Sequence, residues 1–99
     1  MIRLTGQLIA KTPEDSATIR RYLAEHQRLS RAEDGCLLFE VTESDDPLIW
    51  RVEELYRDQT TFDAHQTRTR HSEWWEKTSA IAREYTISEE PDAPLTEPS

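Results

Sequence analysis

The stretch that decides the fold runs from Cys36 to Tyr56 and reads CLLFEVTESDDPLIWRVEELY. Its two ends, 36–42 and 48–56, are rich in β-branched and aromatic residues, which favour strands. The break between them, 43–47, is acidic and contains a proline, a composition typical of a turn. The segment therefore predicts a β-hairpin.

The second strand of this hairpin carries apolar residues on both of its faces. Trp50, Val52 and Tyr56 alternate on one side, and Ile49 and Leu55 lie on the other. A layer of helices covers only one face of a sheet, and a second copy of the same sheet is the simplest cover for the other face. The sequence therefore predicts a homodimer.

The segment before the hairpin predicts a strand followed by a long helix. Residues 2–10 alternate between apolar and other side chains, which is the period of a strand. Thr12 can cap a helix whose first residue is Pro13, and the acids that follow favour the positive end of the helix. We expect this helix to run to about Ala32, with His26 on its apolar stripe.

The segment after the hairpin predicts two helical pieces and a last strand. Asp58 is a plausible cap for a helix that carries Phe62 and His65 three positions apart, so both should pack on the sheet. A second helical piece is expected from His71 through Trp74, Trp75, Thr78, Ile81 and Ala82, followed by a strand over 84–88.

The predicted order is β-α-β-β-α-β, an α+β ferredoxin-like split β-α-β fold with helices on one face of an antiparallel sheet. Residues 1–88 are expected to form the single domain. Residues 89–99 contain three of the five prolines and have no apolar periodicity. They predict a flexible acidic, proline-rich tail.

Composition excludes several functional classes. The net charge is −8, and the 12 basic residues are scattered among 20 acids, which argues against nucleic acid as a partner. A single cysteine and a start without signal-peptide features favour a cytoplasmic location. Because the sequence contains no apolar run of roughly 20 residues, we expect no membrane span.

Two linked motifs resemble those of the antibiotic-biosynthesis-monooxygenase family. The stretch 31–41, RAEDGCLLFEV, resembles the family's signature from a helix end into a strand. The stretch 54–58, ELYRD, followed by 62–65, FDAH, is similar to the family's Glu-x-aromatic-x-Asp strand end and the helix with Ala-His that follows it. The resemblance covers about residues 1–88 and implies a dimeric α/β barrel with a pocket between sheet and helices in each subunit.

The resemblance leaves several activities open, since the family includes cofactor-free quinol and anthrone-type oxygenases, haem-degrading enzymes and a quorum-signal isomerase. The haem-degrading members carry an Asn on the first strand, whereas this chain contains no asparagine. We therefore expect a cofactor-independent monooxygenase that uses O₂ and a small hydrophobic, quinol-like or polyketide-like aromatic substrate. The alternatives are an isomerase and a non-catalytic small-molecule-binding protein on the same dimeric fold.

Oxygenation without a cofactor needs a base that makes an electron-rich anion, an apolar site and donors for the developing charge. His65 is the first candidate for the base, since imidazole titrates near neutral pH. The alternative is a structural histidine bonded to a backbone carbonyl. His26 is the second catalytic candidate. The two histidines are far apart in sequence without a local ligand spacing, so we expect no metal. The cofactor-free oxygenation that the resemblance implies requires no flavin, so we expect no cofactor.

Large aromatic side chains are the candidates for substrate binding, although in a domain of this size they can equally be core residues. They are Trp50, Tyr56, Phe62 and Trp75.

The sequence suggests three further residues whose function needs to be considered. Arg51 is either paired with a carboxylate such as Glu53 or a donor to a developing oxyanion, and we include it among the substrate-binding candidates. Glu54 is expected in the interface between two packed sheets. Cys36 enters an apolar strand behind two acids, which does not favour a reactive thiol.

Overall fold

The computed structural model describes residues 1–91, which form a four-stranded antiparallel sheet and three helices. The elements in chain order are β1 (Ile2–Ile9), α1 (Pro13–Arg31), β2 (Cys36–Glu43), β3 (Ile49–Tyr56), α2 (Gln59–Arg70), α3 (Glu73–Thr78) and β4 (Ala82–Glu89). The strands lie in the order β2-β3-β1-β4. The predicted ferredoxin-like α+β fold is confirmed.

Side-chain caps fix where the helices begin. The Thr12 hydroxyl accepts the backbone N–H of Asp15 at 3.2 Å at the start of α1. At the start of α2, Asp58 accepts the N–H of Thr61 at 2.9 Å, and the Thr61 hydroxyl bonds back to the Asp58 backbone. Each cap satisfies an N–H group that has no partner within its own helix.

The core lies between the helices and the inner face of the sheet, by which we mean the face that the helices cover. Its strand residues alternate, as expected for side chains that share one face of a sheet. The buried apolar side chains are Ile2, Leu4, Leu8, Phe39, Val41, Trp50, Val52 and Tyr56 from the strands, and Ile19, Leu23, Phe62 and Trp74 from the helices.

The outer face of the sheet is not covered by the described part of the chain. It carries two aliphatic cross-strand pairs, Ile9 with Ile49 and Leu38 with Leu55, which are half-buried. Charged and hydroxyl side chains, among them the exposed Arg51, lie between these pairs. The outer face is therefore apolar at two places and polar at its centre.

The last helix ends earlier, and the last strand begins earlier, than the sequence predicted. Ile81 and Ala82 were expected in the helix, but α3 ends at Thr78 and β4 already begins at Ala82. The guanidinium of Arg83 donates to the carbonyl oxygens of Thr78 and Ile81 at 2.8 and 3.0 Å, which satisfies carbonyls at the end of the helix. All eight residues of β4 then pair with β1.

The predicted tail starts inside this strand, because Glu89 pairs with Ile2. Glu90 is also held, since its N–H donates to the Met1 carbonyl at 2.7 Å and its carboxylate accepts from Arg3 Nε at 2.7 Å. The rest of the predicted tail, 92–99, lies outside the described residues. Within residues 1–91, no helix has both the length and the apolar character that crossing a membrane requires.

Candidate active site

A cavity of about 230 Å³ opens between the inner face of the sheet and the helices. Every helix and three of the strands contribute to its wall. The lining residues are Leu4, His26, Glu54, His65, Gln66, Thr69, Arg70, Trp74, Trp75, Arg83 and Tyr85.

The cavity exists because the sheet extends beyond its helices at β4. Tyr85 and Ile87 lie on the inner face of β4, yet 38% and 53% of their surfaces are exposed. The residue of β1 that pairs with Tyr85 is Gly6, so no side chain fills the inner face at that position. A Cβ at Gly6 would overlap the Glu84 carbonyl oxygen, and its φ of +154° also favours glycine.

His65 lies on α2 at the base of the cavity and is 3% exposed. Its Nδ1 is 2.7 Å from Glu33 Oε1. A carboxylate only accepts hydrogen bonds, so Nδ1 carries the hydrogen and Nε2 keeps its lone pair. Nε2 lies on the cavity side, 3.3 Å from the Thr69 hydroxyl and 3.6 Å from Glu54 Oε1. Burial lowers the pKa of His65, although Glu33 opposes that shift.

Glu33 is itself held in place from the far side. Its second oxygen accepts a hydrogen bond from Nε of Arg68, and Arg68 Nη2 donates to the buried Ser30 hydroxyl at 2.8 Å. The carboxylate therefore binds a cation on one oxygen and His65 on the other. This arrangement fixes the orientation and tautomer of the His65 ring, as a second layer of hydrogen bonds does in many active sites.

Glu54 is a carboxyl group in the wall of the cavity, only 6% exposed. Its Oε1 accepts the Tyr56 hydroxyl at 2.7 Å. Burial raises the pKa of Glu54 to about 7, and the hydrogen bond from Tyr56 opposes this rise. Burial, together with the charge and hydrogen bond of Glu54, also raises the pKa of Tyr56. At neutral pH, Glu54 is therefore able both to accept and to donate a proton.

His26 approaches the cavity from α1. Its ring stacks on Trp74 with 4.8 Å between centroids and an interplanar angle of 3°, and its centroid is 5.9 Å from that of His65. Burial lowers the pKa of His26 to about 3, and the charge of Arg68 adds to this shift. The ring is thus neutral at neutral pH. Its Nδ1 has no hydrogen-bond partner within residues 1–91.

Comparison with known proteins identifies the family. The model of the antibiotic biosynthesis monooxygenase family matches residues 1–77 of the 99. The chain belongs to this family. No curated protein matches the sequence at a significant level.

Solved structures support the same fold. A Nitrosomonas europaea protein that bears the name of the antibiotic biosynthesis monooxygenases superposes with a TM-score of 0.78 at 21% identity, covering 91% of this chain and 98% of that one. A Deinococcus radiodurans protein of the same name gives 0.76 at 24% identity, covering 99% and 100%. A Mycobacterium tuberculosis protein gives 0.72 at 24% identity, covering 99% and 98%. At identities below 25%, these superpositions establish a shared fold.

In this member of the antibiotic biosynthesis monooxygenase family, the predicted site residues separate into groups. His65, His26 and Trp75 line the cavity. Tyr56 and Phe62 are buried behind it, where the Tyr56 ring lies 5.0 Å from His65 and 5.3 Å from Phe62 between centroids. These five residues come together around one site, three in its wall and two in its support.

Two of the predicted substrate-binding residues lie elsewhere. Trp50 is buried nearer the other end of β3, where its Nε1 donates to the Ser16 hydroxyl at 3.3 Å. Arg51 is on the outer face of the sheet, whereas the cavity opens on the inner face. The carboxylate expected beside it, Glu53, binds Arg3 at 2.6 Å instead.

Glu54 was expected between two packed sheets, but it lies on the inner face under the helices. Its position follows from the alternation of β3, in which residues 50, 52, 54 and 56 point to the same side. Cys36 is half-buried, and burial together with the charge of Glu33 raises the pKa of its thiol, which agrees with an unreactive side chain. Within residues 1–91, no group of three or more His, Cys, Asp or Glu residues is placed to hold a metal ion.

Proposed function

We propose that this protein is a cofactor-independent monooxygenase that oxidises a small quinol-like aromatic with O₂. The observation that carries the proposal is the state of His65. This neutral imidazole has its tautomer set by Glu33 and its basic Nε2 on the side of the cavity between sheet and helices. A positioned base of this kind can remove the proton of a phenolic hydroxyl and leave an electron-rich anion.

The groups around the cavity can account for each proton in such a reaction. His65 takes the hydroxyl proton of the hydroquinone, a ring carbon of the anion forms a bond to O₂, and His65 returns its proton to the peroxide. Glu54 then accepts the C–H proton at that carbon as the O–O bond breaks, and it passes this proton to the released hydroxide, which leaves as water. The substrate is its own reductant and becomes the hydroxyquinone.

The size of the cavity favours a quinol over a large polyketide. A pocket for a drug-sized ligand usually encloses about 300 to 1,000 Å³. The cavity here measures about 230 Å³, which suits a ligand of one or two rings.

We further propose that the protein acts in the cytoplasm as a homodimer in which two outer faces pack together. The two half-buried aliphatic pairs of the outer face would supply apolar contacts, and Arg51 would meet carboxylates of the partner across the interface. Dimers with two-fold symmetry use the same patch on both subunits, as this arrangement requires.

Oxygen consumption tests the proposed activity. Purified protein is added to a panel of one-ring and two-ring hydroquinones in an oxygen electrode, and the hydroxyquinone product is identified by mass after labelling with ¹⁸O₂. We expect catalysed O₂ uptake and one labelled oxygen in the product. A rate no higher than spontaneous oxidation across the panel would reject the proposal.

An isomerase is the second candidate, and the 3.6 Å approach of His65 Nε2 to Glu54 Oε1 supports it. Such a pair can remove a proton from one ligand atom and deliver it to another without O₂. Exchange of solvent deuterium into a ligand under argon, together with no O₂ uptake in air, would favour this activity. Binding of the aromatics with neither reaction would indicate the non-catalytic binding protein.

A further inference from the structure

We infer that the aromatic substrate carries an acidic group, best matched by a ring carboxylate, which Arg83 and Arg70 bind at the mouth of the cavity. This inference rests on the proposed quinol-oxidising function and specifies the class of quinol. It assigns the two arginines to substrate recognition.

Arg83 presents a guanidinium that is fixed in place and forms no ion pair within residues 1–91, although its charge acts on Glu54 and lowers the pKa of that carboxyl. Its Nη1 and Nη2 atoms donate to neutral acceptors, the carbonyl oxygens of Thr78 and Ile81 and the Thr78 hydroxyl, at 2.8 to 3.0 Å, and the guanidinium also interacts with the Tyr85 hydroxyl. It also stacks on Trp75, with its Cζ 5.0 Å from the ring centroid. A cation that is held by neutral groups beside a cavity keeps its charge available for an anionic ligand.

Arg70 adds a second positive charge at the same opening. It is the last residue of α2, it is exposed, and it lines the cavity. In the described part of the chain it takes part in no ion pair or side-chain hydrogen bond. Two arginines that form no ion pair among residues 1–91 stand out in a protein whose net charge is −8.

The charge of the cavity wall favours an anion at this end. Glu54 is the only carboxyl group among the described residues of the wall, and its raised pKa leaves it partly neutral at pH 7. His26 and His65 are neutral because burial lowers the pKa of each. The wall therefore carries a net positive charge, contributed by the two arginines.

The groups of the cavity wall lie at different depths, and this difference would orient a ligand. His65 and Glu54 are 3% and 6% exposed, whereas Arg70 is exposed and Arg83 is half-buried. A ring with a hydroxyl group at one side and a carboxylate at the other would place the hydroxyl near His65 and the carboxylate near the arginines. Trp75, which stacks on Arg83, provides a flat side to the same opening.

A matched pair of naphthol ligands, titrated under argon, tests the inference without turnover, because the proposed oxidation requires O₂. The probes are 6-hydroxy-2-naphthoate and 6-methyl-2-naphthol, which carry a carboxylate and a methyl group at the same position opposite the hydroxyl, titrated into the whole protein by calorimetry. We expect the naphthoate to bind about tenfold to hundredfold more tightly, the range for hydrogen bonds to a charged group. The preference should shrink as ionic strength rises.

Two variants locate the effect. Arg70→Gln should weaken naphthoate binding about tenfold, leave naphthol binding unchanged and barely alter the melting temperature, since Arg70 makes no ion pair or side-chain hydrogen bond within residues 1–91. Arg83→Gln should also weaken naphthoate binding and leave naphthol binding unchanged. Its melting temperature should fall, because Arg83 also binds the end of α3. Arg21→Gln, an exposed arginine on α1 outside the cavity wall, is the matched control and should bind both probes normally.

The outcomes separate this inference from the proposed function. Equal affinity for the two probes, or unchanged naphthoate binding in Arg70→Gln and Arg83→Gln, would overturn the inference and leave the quinol site intact. Failure of both probes to bind would overturn the inference and the aromatic site together.

Discussion

Glu33 Oε1 lies 2.7 Å from Nδ1 of His65 and thereby joins the turn after α1 to the inner side of α2. The contact decides which nitrogen of the ring is basic, because the hydrogen must lie on the side of the carboxylate. It also provides a negative charge that stabilises the imidazolium formed when His65 accepts a proton. Glu33 is therefore a positioning residue for His65.

Glu33→Gln should slow turnover about tenfold to hundredfold, the cost of losing a charge-assisted hydrogen bond in the transition state. Glu33 raises the pKa of His65, so its removal lowers that pKa further. Since the base must be unprotonated, the acidic limb of the rate profile should move to lower pH. Steady-state rates from pH 4 to pH 9 check both effects.

The control for this variant is Glu25→Gln, an exposed carboxylate on α1 that pairs with Arg28. It should leave both the rate and the pH profile unchanged. A purely structural role for Glu33 would lower the yield of folded protein and leave the acidic limb of the remaining activity in place.

Glu54→Gln should stabilise the protein more at pH 8 than at pH 5. The pKa of Glu54 is raised from 4.5 to about 7 in the folded state, so the folded protein holds its proton more tightly and loses stability as pH rises between these values. The free energy of unfolding lost across this pH range is about 3 kcal/mol. Denaturant unfolding at the two pH values measures it, and an equal change at both would show that Glu54 ionises normally.

His26→Phe should protect the protein against acid. The pKa of His26 falls from 6.5 to about 3 on folding, so its neutral ring contributes stability that is lost as pH decreases below 6.5. Phenylalanine can keep the stack on Trp74, and it should gain about 2 kcal/mol over the native protein at pH 5 and little at pH 7.5. An equal difference in unfolding free energy between the variant and the native protein at both pH values would contradict this account of His26.

The proposed dimer predicts that a charge on the outer face breaks the assembly. Sedimentation of the native protein at micromolar concentration should give a dimer. Ile49→Glu should give a folded monomer, because it places a carboxylate within the apolar contacts of the interface. Ala24→Glu, on the exposed side of α1, should remain dimeric. A native monomer would reject the arrangement.

The sequence predicted the fold well because its determinants are local. Thr12 and Asp58 mark the starts of α1 and α2 through caps that are readable within a few residues. The alternation of β3 and the apolar stripe of α1 locate the inner face without any knowledge of tertiary contacts. The end of α3 was missed because it depends on Arg83, a residue of the following strand.

The candidate site was predicted only in part because its contacts join residues that are far apart in the sequence. Glu54 could have been placed beside Tyr56 by the period of β3, but a carboxylate among apolar residues was interpreted as an interface group. Glu33 lies 32 positions before His65, in a turn, and no periodicity connects the two. Arg70 and Arg83 look like ordinary surface charges until the fold brings them to one opening.

The most direct test of the account is oxygen consumption by His65→Gln. Glutamine retains a polar group at the position, so we expect a dimer with a nearly native melting temperature and a rate at least about a hundredfold lower, the scale of a positioned acid–base group. His65→Ala provides the comparison, since it leaves Glu33 without its partner and should cost about 1 to 3 kcal/mol of stability as well. Full turnover per folded dimer in His65→Gln would contradict the claim that His65 is the base.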